Sequence, residues 1–307
     1  MIVDRSTHYA RKEEDPTRMR TKLFSDTTCD LSEDLLKKHD ISVLHMHVML
    51  GEEDRIDGVN VTAEQLLDYA RATKQLPKTS AVSMLDFQNA FQEALDNGYD
   101  ALIYTGLSSE LSSTFHNAQL AKEALVEMGY DADRIHLVDS RQLSSGEAHL
   151  LLRAAEIIEN GGTAQDAVKD MLDVIPRLST HFVVDTLQFL HMGGRCSSAA
   201  YLAGSMLKLH PQINMIDGAM SAGEKFRGKM DSVIQQYKKR VVLDQLDNID
   251  PSRIFVTSTL PKDKAEVLAE EIRQLGYFKE VIMQFAGATI SSHCGPNTIG
   301  YLTIHKA

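Results

Sequence analysis

From Leu23 onward the chain alternates short apolar runs with amphipathic stretches, and this alternation limits the possible folds more than any other feature. Lys22–Phe24 and Ile41–Met49 read as strands, and Ala101–Thr105 and Ile135–Val138 as buried strands. Helices with recognisable starts lie between them. Thr62-Ala63-Glu64-Gln65 is a capping box, in which a hydroxyl and an amide side chain satisfy free backbone N–H groups reciprocally. Ser83 caps a second helix, whose apolar Phe87, Ala90, Phe91, Ala94 and Leu95 recur at helical spacing before Gly98. Asn117–Met128 and Gly146–Glu159 read as two more, with Gly129 and Gly161 beyond their ends.

Strand–helix alternation of this kind implies an α/β fold built on a parallel sheet with helices on both faces. A length of 307 residues suits two domains. The Gly161-Gly162 pair, followed by a fresh cap at Thr163, predicts the boundary. It gives an N-terminal α/β domain over 21–162 and a C-terminal α/β domain with a mixed sheet over 163–307. In the second, helices are expected at Ala164–Ile175, Ser197–Leu207 and Lys229–Asp247. Strands are expected at His181–Asp185, Ile254–Thr257, Val281–Gln284 and Tyr301–His305. Gln212–Ile216 and Ala219–Ala222 form a hairpin through Asp217-Gly218, a pair suited to the positive φ of a tight turn. Residues 1–20 alternate in charge, lack the apolar stretch of a signal peptide, and read as a disordered leader.

Bulk properties exclude several function classes. A net charge of −11 argues against a nucleic-acid or anionic-membrane surface, which would need clustered Lys and Arg. An anion bound by such a protein needs a local positive pocket. No run of 18 apolar residues is present, so no integral membrane segment is expected. Cys29, Cys196 and Cys294 are odd in number and far apart, which fits a reducing, cytoplasmic setting better than a disulfide framework.

Three hydroxyl-rich segments stand where a strand hands over to a helix: Ser25–Thr28, Thr79–Ser83 and Ser108–Thr114. In open parallel sheets ligands sit beyond the carboxyl ends of strands, where helix N-termini offer free N–H groups to an anion. Simple N-capping explains any one such cluster. Five hydroxyls in Ser108–Thr114 exceed what one helix start uses, so this segment points to binding. Positive groups come from the second half, in Gly193-Gly194-Arg195 and Phe226-Arg227-Gly228-Lys229. Ser292-His293-Cys294-Gly295-Pro296, read as a loop between strands, adds a histidine.

Sharper catalytic motifs fail. Gly223–Lys229 has phosphate-loop spacing, but Met230 stands where a Mg²⁺-ligating hydroxyl belongs. No dinucleotide fingerprint occurs, and Gly106–Glu110 misses the final glycine of a nucleophile elbow. His45 and His47 lack partners at metal-ligand spacing. No metal, cofactor or enzyme class is indicated.

Taken in order, these segments resemble the DegV family from about Leu23 to the C-terminus. Phe24-Ser25-Asp26-Thr27-Thr28-Cys29-Asp30-Leu31 is similar to the family's D-S-x-x-D-L, and Lys78-Thr79-Ser80 with Ser83 to its T-S-Q-P-S. Leu107–Thr114 is similar to I-S-S-x-L-S-G-T, and Val138-Asp139-Ser140 to V-D-S. Thr186–Arg195 resembles T-L-x-x-L-x-x-G-G-R, and His210-Pro211-Gln212-Ile213 the downstream K-P-I. Asp217-Gly218, Arg227 and Ser292–Pro296 fall where the family's D-G, later arginine and T-H-x-G-P belong. Each motif is short; their shared order along the whole chain carries the resemblance.

The resemblance implies a two-domain protein holding one long-chain fatty acid in the inter-domain cleft. It also implies a partner, a separate ATP-binding fatty acid kinase subunit of bacteria that phosphorylates the presented carboxylate. Thr79, Ser112 and His293 would bind the carboxylate. Ser80, Ser113, Thr114, Gly194, Arg195, Arg227 and Asp26 would support the site or face the kinase. The acyl chain would run into an apolar tunnel, with Met192, Met206, Met215 and Met220 as adaptable wall candidates. Ala81-Val82 replaces the family's Gln-Pro, and Ser113 replaces a Gly, which alters loop stiffness and fills space beside Ser112. Two other readings stay open: an acyl hydrolase or transferase using Ser112 with His293, and a kinase-independent lipid carrier or sensor.

Overall fold

The computed structural model describes residues 19–196 and 209–307. Most of the expected leader and the helix expected at Ser197–Leu207 lie outside the described residues. Arg20 is well anchored: its N–H donates to Asp100 Oδ2 at 2.8 Å, and its guanidinium lies 4.4 Å from the centre of the Tyr99 ring.

Four parallel strands form the first sheet, in the order Ile41–Leu44, Thr21–Asp26, Ala101–Gly106, Ile135–Asp139. Strand side chains alternate between faces, so neighbouring residues enter different cores. Phe24, Leu102 and Tyr104 face the helices Met84–Asp96 and Thr114–Glu127, with Phe87 and Tyr104 rings 4.8 Å apart edge to face. Leu23, Ile103 and Val138 join the core around the helices Ser145–Glu159 and Ala164–Val174.

A second, mixed sheet of seven strands contains Ala219–Arg227, Leu209–Ile216, His181–Val183, Ile299–Ile304, Arg253–Ser258 and Glu280–Phe285 in that order. Leu178–Ser179 pairs beside Ile299–Ile304. One face packs Ile254, Val256 and Tyr301 against the helices Met230–Val241 and Lys262–Arg273. The other turns Phe255, Leu302 and Ile304 toward the helix Ser145–Glu159. That helix therefore lies between the two sheets, which is why Leu150, Leu151 and Leu152 are all buried despite pointing in different directions. The capping boxes at Thr62 and Thr163 are formed, and the hairpin turns through Asp217 and Gly218 at φ 51° and 86°. The apparent phosphate-loop segment Gly223–Lys229 is largely the outer strand of this hairpin.

Several local features differ from the pattern reading. Ile41–Met49 is not one strand: Ile41–Leu44 belongs to the first sheet, while His47–Leu50 joins a small antiparallel sheet with Glu53–Ile56 and Lys78–Ser80. The Thr27 hydroxyl accepts the Met46 N–H at 3.1 Å where the chain changes sheets. Helix Thr114–Glu127 starts one turn before Asn117, because Ser113 C=O accepts the Asn117 N–H. Helix Ala164–Val174 packs on Ser145–Glu159 and places Ala167, Met171 and Val174 in the first sheet's core. We therefore propose that the two domains meet near residues 175–178, beyond the Gly161-Gly162 pair.

Candidate functional site

A cavity of about 330 Å³ opens between the sheets, and two of the three hydroxyl-rich segments reach it. The small sheet brings Thr79, Ser80 and Ala81. The turn after Ala101–Gly106 brings Leu111, Ser112 and Ser113. The second half contributes Arg195 and His293. Thr79 Oγ1 and His293 Nε2, 214 positions apart in the chain, are 3.0 Å apart in space. Ser112 Oγ lies 2.9 Å from Thr114 Oγ1 and accepts the Thr114 N–H at 3.2 Å, so buried Thr114 orients Ser112 from outside the cavity wall.

His293 does not sit in a loop. It occupies the last turn of the helix Ala288–Cys294, which Gly295 ends at φ 74°. Its ring is wedged between Thr79 and Gly193: a Cβ on Gly193 would meet Nδ1 at 2.4 Å. Burial first, then the Arg195 charge, pulls its pKa down to about 4. The neutral ring carries one N–H, and buried Nδ1 has no partner. Leaving an N–H unpaired there is the costlier choice, so the proton belongs on Nε2. Nε2–H then donates to Thr79, whose own O–H is released to donate into the cavity.

Arg195 is the one cation among the described lining residues, and it supplies the local positive charge that an acidic protein needs. Its guanidinium donates to the Gly193 carbonyl at 2.7 Å and to the Leu111 carbonyl at 2.9 Å. It thereby ties the second half of the chain to the Ser112 turn. Across the cleft, Ser108 Oγ donates to the carbonyl of Gly218 at the hairpin tip, at 2.7 Å.

Beyond these polar groups much of the wall is apolar, through Leu107, Leu143, Phe182, Leu190, Met220 and Leu302. Several further hydroxyls in the wall have their protons committed to protein acceptors, whereas buried Thr289 Oγ1 has no partner. Ser258 Oγ donates to the Thr298 carbonyl at 3.0 Å and Thr298 Oγ1 to the Cys294 carbonyl at 3.0 Å. Such hydroxyls do not compete for an apolar guest. Met46 and Met220 line the cavity, whereas Met192 is exposed, Met215 packs against the core and Met206 lies outside the described residues.

Three predicted supporting residues are elsewhere. Asp26 is fully buried beneath the first sheet's carboxyl edge, where it accepts from Thr28 N at 2.9 Å, Tyr104 OH at 2.9 Å and Leu107 N at 3.1 Å. The Ser25–Thr28 segment is thus structural, with Thr28 Oγ1 donating to buried Glu147 at 3.0 Å. Arg227 ends the outer hairpin strand, exposed and away from the cavity wall. Gly194 supplies a turn at φ 75° with nothing near its missing Cβ. Sequence reading missed Met46, His181 and Thr257, which reach the wall from strand ends or loops without a motif of their own. Among the described residues no group of three or more His, Cys, Asp or Glu is placed to hold a metal ion. No helix there is long and apolar enough to cross a membrane.

The low pKa of His293 has a measurable consequence. As pH falls from its ordinary value of 6.5 toward 4, the unfolded chain takes up this proton before the native one does. The stability contributed by the neutral ring is complete above about pH 6.5, declines down to about pH 4, and is level below. In ligand-free protein, denaturant titrations between about pH 7 and pH 4.5 should show His293→Gln losing less stability than wild type, by about 1–3 kcal/mol. Equal losses would mean the ring titrates as if in water.

The family model described as "Uncharacterised protein, DegV family" matches residues 20–306. A DegV domain-containing protein of Streptococcus pyogenes serotype M1 is 31% identical over 290 residues, covering 93% of this chain and 98% of that protein. Among solved structures, a fatty-acid-binding DegV family protein from Thermus thermophilus superposes with a TM-score of 0.82 at 27% identity, covering 94% of this chain and all (100%) of that one. A stearic acid-binding protein from Eubacterium ventriosum also gives 0.82 at 27% identity, covering 93% of this chain and 98% of that one. Motif order, fold and these matches agree: the chain belongs to the DegV family.

Proposed function

We propose that this protein binds one long-chain fatty acid in the cavity between its first and second sheets. Thr79 and Ser112 hold the carboxylate, with Ser80 and Ser113 beside them, His293 orienting Thr79, and Arg195 supplying the positive field. The observation that carries this reading is the division of the cavity into one cluster of hydroxyls with a cation and a mostly apolar remainder. That division matches an amphiphile with a single anionic end. Relatives of the same fold are fatty-acid-binding proteins, one of them for stearic acid. Each buried methylene contributes ~0.8 kcal/mol, so a tail of about ten supplies ~8 kcal/mol before the cost of immobilisation.

The geometry disfavours the hydrolase reading. His293 Nε2 faces Thr79 rather than Ser112, and no carboxylate orients Nδ1. A ring held near pKa 4 is also a weak general base at neutral pH. The bound carboxylate would be presented to a separate ATP-dependent kinase subunit, a role supported by the ordered family motifs. Mass spectrometry of small molecules released from the denatured protein tests the binding reading. A stoichiometric fatty acid is expected. Its absence, together with acyl-ester turnover lost in Ser112→Ala, would refute it. Phosphoryl transfer from ATP to the fatty acid should require both this protein and the kinase subunit.

A further inference from the structure

The helix that carries His293 lacks a cap of its own. Ala288–Cys294 has seven residues, its N-cap is Gly287, and no side chain at that position takes a backbone N–H. Three successive N–H groups at its start are instead taken by side-chain oxygens of two aspartates from the first half of the chain. Asp57 Oδ1 accepts from Ala288 at 2.9 Å and Asp57 Oδ2 from Thr289 at 2.8 Å. Asp30 Oδ1 accepts from Gly287 at 2.7 Å. Asp57 is buried, at 2% exposure, and follows the strand Glu53–Ile56 of the small sheet.

The same small sheet holds the helix at its other end. Thr79, on Lys78–Ser80, meets His293 Nε2. Between these contacts, Val48 of the central strand and Leu66 pack on Ala288. Ala288 and His293 are separated by about 7.5 Å of helix rise. A helix of two turns held at both ends by one layer is restrained against rotation and sliding. Apolar packing alone is non-directional and would not set its rotation. The paired acceptors of Asp57 do, because both N–H groups must point at one carboxylate.

We propose that Asp57 is a positioning residue for the head-group site: by capping the His293 helix from the small sheet, it sets the ring against Thr79. Asp30 assists at Gly287. The consequence is that the head-group site is complete only when the small sheet and the second sheet's helix are docked. This inference rests on the fatty-acid reading for its ligand, although not for its geometry.

The test uses the full-length protein freed of lipid, with two readouts. One is the ¹⁵N spectrum of the His293 imidazole without ligand; the other is affinity for cis-parinaric acid, a fluorescent fatty acid. In Asp57→Ala, the His293 nitrogens should move away from the wild-type Nε2–H pattern and affinity should fall about tenfold, as expected for one or two buried hydrogen bonds. Asp57→Asn keeps one acceptor oxygen and should fall between, and it carries the test if the alanine variant does not fold. Wild-type His293 signals in both variants would overturn the proposal. A displaced ring with unchanged affinity would refute its role in the head-group site. A wild-type protein that takes up no parinaric acid defeats the fatty-acid reading instead, while the ring signals still decide whether Asp57 positions His293.

Discussion

Combining Ser112→Ala with Thr79→Val should lower fatty-acid affinity by about two orders of magnitude or more while leaving the fold intact. Each change deletes a hydroxyl donor to a carboxylate, and a hydrogen bond to a charged group contributes about 1.5–3 kcal/mol. Together they account for at least a hundredfold. The tail wall is untouched, so weak residual binding through methylene burial is expected. Native stability should drop by about 1–2 kcal/mol, because Ser112 also accepts the Thr114 N–H and Thr79 is the partner of His293. Fluorescent fatty-acid displacement and thermal melts measure the two effects. Unchanged affinity in the double variant would remove both hydroxyls from the site.

Gly193→Ala should be nearly as damaging to binding, for a steric reason. Gly193 has φ −74° and ψ −3°, which alanine adopts freely, so the backbone places no demand on glycine here. Space does. The added Cβ would lie 2.4 Å from His293 Nδ1, 2.9 Å from Cε1 and 3.1 Å from the Phe189 carbonyl. The ring cannot retreat, because Thr79 stands 3.0 Å from its other nitrogen. Overpacking of this kind costs about 1–3 kcal/mol and would push His293 off Thr79. Affinity should fall at least about tenfold. The neighbouring Gly194 makes the contrast: it has φ 75° and open space around the missing Cβ. Gly194→Ala should cost about 1–2 kcal/mol of stability through its left-handed backbone, with a much smaller loss of affinity. Two adjacent glycines of one motif are therefore needed for different reasons. Equal affinity losses in the two variants would contradict this division.

Much of the local structure was legible from the chain alone. The Thr62–Gln65 box, the cap at Thr163, the Asp217-Gly218 turn and the helical spacing from Phe87 to Leu95 all form as read. These are contacts within a few residues, settled by hydrogen bonds and side-chain period that a short window contains. Two of the three hydroxyl-rich turns reach the cavity, Ser108–Thr114 from the carboxyl end of a parallel strand and Thr79–Ser83 from the small antiparallel sheet. The family followed from motif order.

What a short window does not contain is which elements meet. Asp26 and Thr79 sit in similar hydroxyl-rich contexts, yet Asp26 is sealed beneath Tyr104 and Leu107 while Thr79 faces His293. Arg227 and Arg195 both follow glycine- or turn-rich segments, and only Arg195 reaches the cavity. The helix Ser145–Glu159 is buried on all sides over its first two turns because two sheets enclose it, a fact that no period along the chain expresses. The sequence by itself determined the alternating elements, their caps and turns, and a set of hydroxyls able to hold an anion. Only the tertiary structure decided that Thr79, Ser112, Arg195 and His293 share one cavity and that Asp57 caps the helix bringing His293 there. The first are short-range contacts written within a turn or two, while the second depend on the order of strands and on packing between residues more than 200 positions apart.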